Sequence, residues 1–61
     1  MEKVALVETK GYGGYIEIFR TRRGHYILLG EYSLMGKYVK EPYSGNLKGA
    51  IKLAKRILEM P

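Results

Sequence analysis

A small α+β fold, an antiparallel sheet of three or four strands with one C-terminal helix packed on one face, is predicted by three observations. Two arms rich in β-branched and aromatic residues, 15–20 and 25–29, flank the short basic sequence Thr21-Arg22-Arg23-Gly24, which is the pattern of a hairpin. Residues 47–60 carry apolar side chains at three- and four-residue spacing, which is the pattern of an amphipathic helix. The chain has 61 residues, room for one domain spanning residues 1–61 and no more.

Taken in order, Val4-Ala5-Leu6-Val7 is a short apolar run bounded by charge and predicts a first strand over residues 3–9. Lys10-Gly11-Tyr12-Gly13-Gly14 predicts a connection. It leads into a strand rather than a helix, so its glycines serve the turn and do not cradle a phosphate.

The hairpin comes next. A four-residue turn over 21–24 sets Arg20 opposite His25, Ile18 opposite Ile27 and Ile16 opposite Leu29, and those aliphatic residues form the core face. Tyr15, Glu17, Phe19, Tyr26 and Leu28 then share the other face. A two-residue Arg23-Gly24 turn preserves both faces, whereas a turn of odd length would swap one strand.

Gly30-Glu31-Tyr32-Ser33-Leu34-Met35-Gly36 predicts a bend or bulge, and residues 37–40 a short strand whose lysines discourage unwanted edge pairing. Pro42 blocks easy continuation of the ladder, and Ser44 or Asn46 is placed to cap the helix. Leu47, Ala50, Ile51, Ala54, Ile57 and Leu58 make its apolar stripe. Gly49 weakens the helix by roughly 1 kcal/mol relative to alanine, a cost that close approach of helix and sheet would explain. Lys48, Lys52, Lys55 and Arg56 lie on the opposite face.

Composition narrows the function classes. Eleven Lys and Arg against six acidic residues give a formal charge of +5, which favours polyanionic partners. There is no cysteine, so disulfides and thiolate metal sites are excluded. General acid-base or nucleophilic chemistry needs a poised group and a partner that tunes it. The chain offers one histidine, His25, and no aspartate. Glu8, Glu17, Glu31, Ser33 and Ser44 read as surface groups, and no catalytic residue, metal or cofactor is expected.

No apolar run approaches the ~20 residues of a membrane span, and the amino-terminal residues lack a signal-peptide core, so no membrane partner and a cytoplasmic location are expected. The absence of Asp, Gln and Trp beside abundant Lys, Arg, Glu and Ile is a bias found at high growth temperature. A chain this short has little core to hold it together, which makes a homodimer a natural expectation.

The constellation that could carry function is basic and aromatic. Arg20, Arg22, Arg23 and Lys37 can neutralise phosphate, while Tyr15, Phe19, Tyr26 and Tyr38 can stack on unpaired bases at about 1–3 kcal/mol each. The expected function is therefore non-enzymatic binding of DNA or RNA, with Lys48, Lys52, Lys55 and Arg56 as an alternative surface. The competing expectation is a protein-binding regulator or small subunit that uses the same aromatic face or an open strand edge. The six tyrosines suit an interface as well as a stacking platform.

Gly24-His25-Tyr26-Ile27-Leu28-Leu29, then Gly36-Lys37-Tyr38-Val39, then residues 44–54 together resemble several small domains, among them the three-stranded sheet plus helix of integrase arm-binding DNA modules, and a strand-rich sheet with one helix also occurs in small single-strand binders and in HicB-like antitoxins. That resemblance covers about half the chain and implies major-groove contacts for Arg20, Arg22, Tyr26 and Lys37. The tryptophan common in such modules is missing.

Overall fold

The turn chemistry of residues 21–25 decides which side chains the sheet buries. In the computed structural model, which describes residues 1–9, 13–32 and 36–59, Gly24 has a φ of 82°. Its amide donates to the Thr21 carbonyl at 3.0 Å, and the Thr21 amide donates to the His25 carbonyl at 2.9 Å. The loop proper is thus Arg22-Arg23-Gly24, three residues closed by a left-handed glycine. Nothing lies within 4 Å of the place a Gly24 Cβ would take, so backbone conformation, not space, selects glycine there.

An odd loop moves the register by one residue. Arg20 pairs with Tyr26, Phe19 with Ile27, Ile18 with Leu28 and Ile16 with Gly30. The expected pairing of Arg20 with His25 and of Ile18 with Ile27 is corrected accordingly. One strand changes faces: Tyr26 and Leu28 join Ile16 and Ile18 in the core, and Ile27 and Leu29 turn to the other side with Tyr15, Glu17 and Phe19.

The elements are β1 (Glu2–Glu8), β2 (Gly14–Arg20), β3 (Tyr26–Tyr32), β4 (Lys37–Tyr43) and α1 (Leu47–Glu59). Sheet order follows chain order, and all neighbouring strands are antiparallel. Strands β1 and β4 are therefore the edges. The β1 register shifts between Lys3 and Ala5, an irregularity that leaves Val4 outside the ladder and discourages addition of a further strand.

Two boundaries differ from the sequence expectation. Gly30, Glu31 and Tyr32 continue β3 instead of bending away, paired with Ile16, Tyr15 and Gly14, and glycine is required at 30 because a Cβ there would overlap the Tyr15 carbonyl oxygen. Strand β4 runs through Pro42 to Tyr43, which an edge strand tolerates because half of its amides have no ladder partner. Ser33, Leu34 and Met35 of the expected bend, Lys10, Gly11 and Tyr12 of the glycine-rich connection, and Met60 and Pro61 lie outside the described residues.

Asn46 caps α1. Its side-chain Oδ1 accepts a hydrogen bond from the Gly49 amide at 2.7 Å, and its carbonyl accepts from the Ala50 amide at 3.1 Å. Asn46→Ala is expected to lower the unfolding free energy by about 1 kcal/mol, seen as a lower urea midpoint with an unchanged slope. Gly49 makes room for Tyr43, whose hydroxyl would overlap any Cβ there. The close approach is thus to one ring at the end of β4.

The helix packs across β1, β2 and β3. It buries Ala50, Ala54 and Leu58 against Ile16, Ile18, Tyr26 and Leu28, and the two alanines let its backbone sit close to the sheet. Ile16, Ile18 and Leu28 are fully buried, each contributing about 1.5–3 kcal/mol of transfer free energy. Val4, Ala5, Val7, Val39 and Tyr43 pack around this core half-buried.

Candidate nucleic-acid interface

Strand alternation and the observed register sort every described charge by side. On the sheet face without the helix, three cross-strand rows run Glu8–Tyr15–Glu31–Tyr38, Leu6–Glu17–Leu29–Lys40 and Lys3–Phe19–Ile27–Pro42. The helix-covered side presents Arg20, Lys37, Glu2 and Glu41 at the margins of the sheet. Lys48, Lys52, Lys55 and Arg56 are exposed on α1 together with Glu59, opposite its buried Ala50, Ala54 and Leu58.

The expected constellation is therefore divided. Tyr15, Phe19 and Tyr38 do share the open face, with Tyr15 40% and Tyr38 81% exposed. Tyr26 does not: at 9% exposure it belongs to the core beneath α1, so its assignment as a stacking residue is corrected, the cause being the odd loop. Lys37 lies on the helix side, not beside the aromatic rings. It also stands at the end of the sheet remote from Arg22 and Arg23, six strand steps or roughly 20 Å away.

The sign of the charge divides in the same way. The open face holds Lys3 and Lys40 against Glu8, Glu17 and Glu31, one more carboxylate than ammonium. Its Tyr15 and Tyr38 flank Glu31 across a shallow cleft of about 220 Å³ that Glu17 also lines. Carboxylates between the two rings repel a phosphate backbone. On the helix side six basic groups face three acidic ones, and the turn adds Arg22 and Arg23, both exposed.

Arg20 is the exception among the arginines. Its Nη2 donates to Glu2 Oε1 at 2.9 Å, and the hydrogen bond and charge of Glu2 raise the guanidinium pKa above its already high value. Lys3 is likewise committed, its Nζ lying 3.2 Å from Glu17 Oε2 on the open face. Both pairs are solvent-exposed and screened by salt. Arg22, Arg23, Lys48, Lys52, Lys55 and Arg56 have no carboxylate within ion-pair distance among the described residues.

Three hydrogen bonds close the turn that carries Arg22 and Arg23. Besides the two backbone bonds, Thr21 Oγ1 accepts from the His25 amide at 3.2 Å, and a pocket of about 350 Å³ beside Met1, Glu2, Arg20, Thr21 and Arg22 opens at this end of the sheet. His25 is exposed.

Sequence reasoning missed Leu6, Ile27 and Leu29 as members of the open face and Lys40 as its edge charge. Gly24 was the available signal, since a glycine directly after two turn corners marks a three-residue hairpin loop. Among the described residues no group of three or more His, Cys, Asp or Glu could hold a metal ion, and no helix is long and apolar enough to cross a membrane. Comparison with family models, curated proteins and solved structures gives no match.

Proposed function

We propose that this protein is a non-enzymatic nucleic-acid-binding domain that grips the phosphate backbone with the outer face of α1 and the Arg22-Arg23 turn. The observation that carries this reading is the one-sided charge: the helix side and the turn hold the surplus of basic groups, while the open sheet face has a slight acidic excess. Lys48 adds to it. This residue stands in the first helical turn, where the helix dipole does not favour a cation but the side chain is free to meet an anion.

Contacts to phosphate position a protein without reading bases, so binding is expected to tolerate many sequences and to weaken steeply with salt. The test is fluorescence anisotropy of labelled single- and double-stranded DNA and RNA, titrated at about 50 and 200 mM salt. Arg22→Glu with Arg23→Glu should lower affinity at least tenfold and flatten the salt slope by about 2. Binding that is absent at low salt, or indifferent to salt, would sink the proposal.

A protein partner on the open sheet face is the second reading. It is favoured by Leu6, Tyr15 and Tyr38 standing 50%, 40% and 81% exposed there, and it is compatible with phosphate contacts on the opposite side.

A further inference from the structure

We infer that the open sheet face is a homodimer interface, in which two copies stack sheet on sheet with their helices outermost. Three observations lead there. The first is the face itself: Leu6, Tyr15, Phe19, Ile27, Leu29 and Tyr38 lie on it across all four strands, interspersed with Glu8, Glu17 and Glu31 and edged by Lys3 and Lys40. An antiparallel sheet with one solvated face ordinarily alternates apolar inward with polar outward. Strand β3 breaks that rule with Ile27 and Leu29.

The second observation is area. A monomer of 7.0 kDa is expected to expose about 4000 Å². This chain exposes 4710 Å². The chain thus exposes more surface than its mass alone predicts, as a sheet with one uncovered face does. A chain of this length ordinarily draws support from disulfides, a structural metal or association. It has no cysteine, so no disulfide supplies that support.

The third observation is charge placement, and it selects the second copy and its orientation. A two-fold axis lying between the sheets and parallel to the strands sets β2 over the partner's β3 and β1 over the partner's β4. Phe19 then lies over the second copy's Ile27, and Tyr15 over its Glu31, where the phenol can donate to the carboxylate. Lys40 lies over the second copy's Leu6, within a long side chain's reach of its Glu17. No like charges are opposed. An axis perpendicular to the strands would instead set Glu17 on Glu17 and Lys40 on Lys40, which is repulsive.

Sedimentation equilibrium of the whole chain without nucleic acid, from low micromolar to near-millimolar concentration, is the test. The expected result is a reversible approach to twice the 7.0 kDa monomer mass, and a thermal midpoint that rises with concentration. Leu29→Lys places a charge at the centre of the face and should abolish the dimer, while Lys40→Glu should weaken it at least several-fold. If Leu29→Lys fails to fold by circular dichroism, Tyr38→Glu takes its place, because Tyr38 is 81% exposed and the monomer does not need it. A wild-type chain that stays monomeric throughout would overturn the inference, as would a dimer that survives the face substitutions. The readout contains no polyanion, so its failure is separate from failure of the proposed nucleic-acid contact.

Discussion

Leu28→Ala is expected to cost about 2–5 kcal/mol of unfolding free energy, the range for removing a fully buried leucine, and Leu29→Ala considerably less. Leu28 is fully buried between β2, β4 and α1, whereas the adjacent Leu29 is half-buried on the face that α1 leaves open. A domain of this length has roughly 3–9 kcal/mol in total. Leu28→Ala should therefore be largely unfolded at room temperature or melt far earlier than the wild type. Urea titration of both variants at low micromolar protein, where association contributes least, compares them directly. Equal losses, or a larger loss at Leu29, would contradict the register set by the three-residue loop.

Reversing the helix face should produce the largest functional change. Lys52→Glu, Lys55→Glu and Arg56→Glu together are expected to reduce affinity for nucleic acid by roughly 10²- to 10³-fold near 0.1 M salt. Each lost phosphate contact forfeits the counterion release worth close to tenfold there, and the slope of log affinity against log salt should fall by about 2–3. All three side chains are exposed and none touches the core, so far-ultraviolet circular dichroism and the melting temperature should change little. A matching reversal of sign on the open face, Lys40→Glu, should leave the affinity of the monomer nearly untouched. If the helix triple variant binds as the wild type does while Arg22→Glu with Arg23→Glu does not, the contact is confined to the turn.

The parts of the fold set by periodicity were readable from the chain. The stripe through Ala50, Ala54 and Leu58 has only one helical solution, and Asn46 stands where a cap belongs. Facing in β3 was not readable, because Tyr26-Ile27-Leu28-Leu29 is apolar at every position and offers the alternation rule nothing to discriminate. Loop parity alone decided it. Pro42 misled for a related reason: it ends an interior strand, but whether a strand is interior or edge depends on sheet order.

The candidate site was legible as a list of basic residues and illegible as an arrangement. Composition announces a cationic protein. It does not announce that Lys37 and Arg22 stand at opposite ends of the sheet, that Tyr26 is covered by α1, or that Glu31 separates Tyr15 from Tyr38. Those relations depend on strand pairing between residues that are distant along the chain.

The chain-order meander also has a kinetic consequence. Each strand pairs with its immediate predecessor, so the sheet can grow by successive hairpin closures over short loops, without the long loop closures that slow other β topologies. Docking of α1 is different, since the segment must reach back across β3 and β2 to β1. Until it does, Ile16, Ile18 and Leu28 line an uncovered surface. Capture of the helix by a sheet that is already paired is then expected to follow the rate-limiting step, so substitutions at Ala50 or Ala54 should accelerate unfolding more than they slow folding.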